Sequence, residues 1–285
     1  LGANMFAFNF CESRVWAMDK AAMYAGAPMQ VVVHSTGIES TPQPANLHGW
    51  AQGTWPVGDP HYFVTDDQFD GVTFSQWSWS DPFGADTFAR DGAVAWSGGL
   101  QGFPIDAPTK GGKTLTDNDW RVQDAEYRNG TITTVHNVSC NPGSGTVDCL
   151  QWTQYDPTTL GVLQGGVHGA NNRYRIFGDM AVNHCEDILM GYSGTNANVR
   201  PAVLLAARKS TMTPGVLTTD IVVKLGEKDY TSFEGTPYRW GDYTGATTDP
   251  NGQDFWYLGE YSKDTGVSSD WATFIGLVTT ACPTP

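Results

Sequence analysis

The feature that most constrains this chain is a repeat without helices. Almost no stretch carries the 3.6-residue apolar spacing of a helix. Short apolar and aromatic runs, bounded by Gly, Pro, Asn and Asp, read instead as strands and turns. Within that pattern three segments align: Asp119-Trp-Arg-Val-Gln-Asp-Ala-Glu, Arg173-Tyr-Arg-Ile-Phe-Gly-Asp-Met and Pro237-Tyr-Arg-Trp-Gly-Asp-Tyr-Thr. Each carries an aromatic residue, an Arg, an apolar residue and, shortly after, an Asp. Their arginines, Arg121, Arg175 and Arg239, recur at about sixty residues, the length of a propeller blade with generous loops. Asn4-Met-Phe-Ala-Phe-Asn and His61-Tyr-Phe-Val-Thr-Asp fit the period more loosely.

Turns recur inside the units. Asn183-His-Cys-Glu-Asp separates Met180-Ala-Val from Ile188-Leu-Met-Gly-Tyr-Ser, and Asp249-Pro-Asn-Gly-Gln-Asp separates Thr244-Gly-Ala-Thr from Phe255-Trp-Tyr-Leu-Gly-Glu-Tyr. Both read as an innermost strand, a polar hairpin and a second strand. Ala202 to Ala207 and Thr218 to Leu225 supply further strands, and Ser13 to Ala25 reads either as a short helix or as a strand with a turn. The expectation is an all-β fold: a β-propeller with about five four-stranded blades in a single domain over residues 1–285.

Composition narrows the partners. Net charge is −14 and no basic cluster exists, which argues against nucleic acid and against an anionic membrane surface. The longest apolar stretch, near Pro201 to Ala207, is too short to span a bilayer. Five cysteines lack any Cys-x-x-Cys pair, so the usual zinc spacings are absent. Cys140 and Cys149 bracket a turn-rich segment and suit a hairpin disulfide. The sequons Asn129-Gly-Thr and Asn137-Val-Ser flank it and fit a secreted glycoprotein. The opening Leu-Gly-Ala-Asn reads as a processed or truncated start.

The stretch Tyr238-Arg-Trp-Gly-Asp-Tyr-Thr, then Phe255-Trp-Tyr, Glu260-Tyr and Trp271-Ala-Thr-Phe-Ile-Gly, resembles a family of large secreted bacterial propeller-like proteins with an Arg-Trp-Gly-Asp-Tyr-Ser motif. The opening Asn4-Met-Phe and Ala17-Met-Asp-Lys-Ala-Ala-Met resemble that family's middle section. The resemblance implies an extracellular location and a C-terminal portion of a longer precursor, whose N-terminal chain would be the partner that completes a larger propeller. It implies no reaction. Family members tend to pair the terminal Cys with one in the last hairpin. That hairpin here reads Asn251-Gly-Gln-Asp, which leaves Cys282 to pair with Cys185 or Cys11, or to stay free.

Three arginines converging from different blades would bind an acidic sugar through their planar forks. Alternatively each fixes its own blade by bonding Asp179, Asp242 or nearby carbonyls. Asp66, Asp67 and Asp70 form the best local cluster for calcium, which needs several oxygens on a flexible loop. Other carboxylates, among them Asp117, Asp119, Asp124, Glu126 and Glu260, offer general acids without showing which of them pair. Trp50 and Trp55, between Pro42 and Pro60, either stack on a sugar ring or anchor their own loop. Scattered histidines show no ligand spacing, and no nucleophile elbow or phosphate loop occurs. Two functions follow: a secreted module binding a glycan, or a carbohydrate-active enzyme, hydrolase or lyase, acting on an acidic sugar.

Overall fold

Five antiparallel meanders follow one another along the chain in a computed structural model that describes residues 1–49, 55–66, 70–116, 120–232, 234–267 and 270–282. The first comprises β1 (Gly2–Phe6), β2 (Phe10–Met18) and β3 (Val31–Gly37). A one-turn helix, α1 (Lys20–Ala25), capped by the Asp19 carboxylate, joins its last two strands. Ser13 to Ala25 thus divides between the end of β2 and this helix. The second meander comprises β4 (Gln43–Pro44), β5 (His61–Asp66), β6 (Thr73–Ser80) and β7 (Thr87–Ala95). A small hairpin follows, β8 (Ala107–Thr109) and β9 (Lys113–Thr116). The third meander runs β10 (Val122–Arg128), β11 (Thr131–Cys140), β12 (Val147–Tyr155) and β13 (Val162–His168). The fourth runs β14 (Tyr174–Val182), β15 (Ile188–Asn196), β16 (Val199–Arg208) and β17 (Ile221–Lys224). After β18 (Tyr238–Arg239) comes the fifth, β19 (Gly245–Thr248), β20 (Phe255–Ser262) and β21 (Trp271–Val278).

Successive meanders stack face to face. Val15 of the first packs with Phe63 and Trp79 of the second. Val64 and Phe74 of the second share a cluster with Ala125 and Tyr155 of the third, and Leu150 and Trp152 of the third pack with Met180 and Met190 of the fourth. Leu189 and Val203 of the fourth meet Phe255 and Tyr257 of the fifth. Close approach at this last interface requires a glycine, since a Cβ on Gly191 would lie 2.0 Å from the Tyr257 ring. First strands also adjoin one another: β10 packs against β4 and β14, and β14 against β19. The two end meanders have three strands each instead of the expected four.

The arginine motif marks something other than matching central strands. Arg175 lies in β14, but Arg121 precedes β10, and Arg239 lies in β18, which pairs in parallel with β9 outside the meander. The physical reason is a break shared by these units. In β14 the ladder is interrupted after Ile176, where Phe177 takes a positive φ of 56°, and resumes at Asp179. In the last unit the interruption is longer, so the front half peels away to the β8–β9 hairpin while β19 continues the sheet. His61 to Asp66 likewise forms a second strand, β5, rather than a first.

Two disulfides tie the fold. Cys140–Cys149 closes the β11–β12 hairpin, and Cys185–Cys282 joins the β14–β15 turn to the chain after β21. They suggest an oxidising, extracellular environment. Cys11 is an exposed free thiol. Asn129 is exposed in a turn, whereas the Asn137 side chain is fully buried in β11, where no glycan fits in the folded state. Among the described residues no helix is long and apolar enough to cross a membrane.

Candidate functional site

The three repeated arginines line three separate clefts. Arg121 shares one with β1 and Tyr243, Arg175 borders one with Arg173 and Asp220, and Arg239 borders one with Asp242 and Glu260.

The Arg175 cleft has the most ordered polar wall. Its anchor is Asp220, immediately before β17. One carboxylate oxygen, Oδ1, accepts from Arg175 Nε at 2.9 Å, Arg175 Nη2 at 2.8 Å and the Tyr192 hydroxyl at 2.7 Å. His168 Nε2 lies 3.3 Å from that oxygen and 3.0 Å from the Tyr192 hydroxyl. Burial alone would push the Asp220 carboxyl up. The hydrogen bond from His168, the Arg175 charge and the Tyr192 hydroxyl overrule it and hold the carboxyl far below its ordinary range. Burial also lowers the His168 pKa, favouring the neutral ring. Arg175 is itself buried, and its Nη1 has no hydrogen-bond acceptor. Arg173, half-exposed, stands at the rim with Nη1 3.9 Å from Asp220 Oδ2. The cleft holds roughly 480 Å³, and Leu217, Thr218 and Thr219 form much of its remaining wall. Two arginines against one aspartate leave its charged walls net positive in a strongly acidic chain.

Sequence spacing does not link these partners. His168, Arg175, Tyr192 and Asp220 come from β13, β14, β15 and the approach to β17; the sheet of the fourth meander gathers the last three, and His168 reaches them from the separate sheet of the third. Of the partners that the repeat offered its arginines, Asp179, Asp242 or nearby carbonyls, Arg175 takes none; its guanidinium bonds Asp220. Asp179 instead accepts from the Ala246 amide at 3.1 Å and stitches β14 to β19.

The C-terminal motif builds the Arg239 cleft, of roughly 290 Å³. Arg239 bonds Asp242, the Tyr230 hydroxyl donates to the Arg239 carbonyl, and Trp240 is buried with its Nε1 donating to Ser193 Oγ at 3.0 Å. The Glu260 carboxylate lies against the motif's glycine: a Cβ on Gly241 would sit 1.8 Å from Glu260 Oε2 and would displace that carboxylate. Burial pushes the Glu260 carboxyl up to about 7, against the Gly241 amide that bonds it and with the Asp242 charge beside it. Exposed Trp271 closes the rim.

A third acidic group is internal. Asp124, Glu126 and Asp179 sit on the adjoining first strands β10 and β14. Burial, then the neighbouring Glu126 charge, pushes Asp124 up to about 7, and burial with the Asp124 charge raises Asp179 well above the ordinary carboxylate range. Burial raises Glu126 as well, although His48 Nδ1 lies 2.9 Å from its Oε2 and opposes the shift.

The remaining expected sites divide. Asp67 and Trp50 lie outside the described residues. Asp70 Oδ1 caps a turn by accepting from the Val72 and Thr73 amides at 2.7 and 2.9 Å, and Asp66 is buried at the end of β5. Trp55 anchors its own loop: its Nε1 donates to the Pro60 carbonyl at 3.1 Å and its ring lies 4.2 Å from that of Tyr127. His184, Cys185 and Cys282 offer ligand atoms within 4.8 Å of one another, but their two sulfurs are joined as a disulfide.

No family model, no curated protein and no solved structure matches the chain.

Proposed function

We propose that this chain is a secreted, propeller-like binding module for an anionic saccharide, held by its carboxylate in the Arg173–Arg175 cleft. The observation that carries this reading is the buried Arg175. Asp220 fixes its guanidinium from one side, with Tyr192 and His168 on the same carboxylate, so little side-chain entropy remains to be lost on binding. Arg173 adds a second cation at the rim, where a carboxylate and the flanking hydroxyls of Thr218 and Thr219 suit a uronic acid. Face-to-face meanders whose first strands adjoin support the propeller.

Calorimetric titration with an oligogalacturonate and its methyl ester tests this. The acid should bind and the ester should not. Arg173→Ala should weaken the acid about tenfold, as expected for one rim charge-assisted contact. Equal binding of acid and ester, or of neither, would end the reading.

A second reading has its own observation. Glu260, held near neutrality in its pKa beside Asp242 and Trp271, has the properties of a general acid for glycoside hydrolysis. The two readings part on product: after incubation, mass spectrometry finds the saccharide intact under the first and cleaved under the second.

A further inference from the structure

The tie between the fourth and fifth meanders has a third member. The polar turn between β14 and β15 carries His184 and Cys185, and Cys282 follows β21. One ligand atom from each, two sulfurs and an imidazole nitrogen, lies within 4.8 Å of the others. Cys282 is buried and the other two are half-buried, so the group lies just under the surface.

The His184 ring is set for something the disulfide does not use. Its Nδ1 lies 2.6 Å from the Gly252 carbonyl oxygen, which can only accept, so Nδ1 carries the proton. Nε2 of the neutral ring then bears the lone pair, and it lies 3.2 Å from Cys282 Sγ. A disulfide sulfur has no proton to give it. An imidazole with one nitrogen fixed by a carbonyl and the other set beside sulfur is the arrangement of a metal-ligating histidine.

The three positions are held by more than the sulfur–sulfur bond. Buried Asn183 accepts from the Cys185 and Asp187 amides at 3.0 and 2.9 Å and donates to the Gln253 carbonyl at 2.8 Å. Thr280, two residues before Cys282, donates its amide to Asp254 Oδ1 at 2.8 Å and its hydroxyl to the Gln253 carbonyl at 3.1 Å. The β19–β20 turn thus steadies both ends of the tie. A tetrahedral zinc ion would set sulfur about 3.8 Å from sulfur and about 3.5 Å from nitrogen. Nε2 already stands close to that distance from Cys282. The sulfurs need only part by side-chain rotation, from Cα atoms 6.1 Å apart.

We infer that His184, Cys185 and Cys282 form, in the dithiol state, a site for a thiophilic divalent cation of the zinc class, with water in the fourth tetrahedral position. Among the described residues no further His, Cys, Asp or Glu joins the group. A dithiol reductant attacks the Cys185–Cys282 bond, supplies two electrons and two protons, and leaves as its own disulfide. The cation then takes the place of the two thiol protons, which pass to solvent. Metal so replaces the covalent bond as the tie of the fifth meander.

Cobalt(II), added to the 285-residue chain before and after reduction by a phosphine, tests this. The oxidised chain should show no sulfur-to-cobalt charge-transfer band. The reduced chain should show one that saturates at one equivalent and is bleached by zinc. Cys185→Ser with Cys282→Ser, which keeps Cys11 and the hairpin pair, should abolish the band. His184→Ala should weaken cobalt at least about tenfold. Hydrogen exchange in β20 and β21 should quicken on reduction and slow again when zinc is added. No band after reduction, a band that survives the loss of Cys185 and Cys282, or equal affinity in His184→Ala would each overturn the inference. The His184→Ala comparison also decides the matter if the reduced chain unfolds, since an unfolded chain takes up cobalt through its thiols without regard to His184.

Discussion

The third and fifth meanders have similar strand patterns and opposite fates. Every residue of β12 is buried, polar ones included, because the third meander has neighbours on both faces. In β21 exposed and half-buried residues alternate along the whole strand, because only one face has a neighbour. Strand sequence sets which residues share a face. Position in the stack decides whether that face is worth anything to stability.

The largest effect should come from the ties. Chain entropy assigns about 4.7 kcal/mol to Cys185–Cys282, which spans 97 residues, and about 2.6 kcal/mol to Cys140–Cys149, which spans 9. Replacing Cys185 and Cys282 by Ser should therefore cost more, in urea unfolding, than replacing the hairpin pair. The fifth meander, joined to the stack on one side, should come loose first, read by hydrogen exchange in β20 and β21. Equal losses would mean that the end sheet does not depend on its tie.

Packing comes next. Leu150→Ala removes a fully buried side chain between the third and fourth meanders and should cost about 3 kcal/mol. Ile275→Ala on the open face should cost under about 0.5 kcal/mol. A large loss at Ile275 would show that its face is already covered.

At neutral pH the smallest contrast is in titration, which shows itself only as the pH is moved. His136 in β11 is buried, its ring stacked 3.7 Å from that of Trp96, and burial lowers its pKa from 6.5 to about 4. The fold thus favours the neutral ring. Its stabilisation is complete above 6.5 and is lost as pH falls toward 4, by at most about 3 kcal/mol. Glu260 in β20 is shifted the other way, from 4.5 to about 7. The fold favours its protonated form, so its contribution is lost as pH rises across that window. His136→Gln should flatten the acid limb of a stability–pH curve, and Glu260→Gln the neutral one. No change in either limb would remove burial as the cause.

The sequence by itself determined the strand class, the first hairpin of two units, the Cys140–Cys149 staple and the acidic character. Each of these is local: period two, turn residues and charge are properties of neighbours along the chain. The repeated Tyr-Arg pair was legible as a repeat but not as an element, because the break after it sends Tyr238–Arg239 to β9 and leaves Tyr174–Arg175 in its sheet. Tertiary structure alone decided the Asp220 anchor, whose partners lie as far as 52 residues away, the approach of the Glu260 carboxylate to Gly241, and the partner of Cys282. The physical reason is that a side chain's charge and exposure depend on which distant strands stack beside it, and no spacing within one strand carries that information.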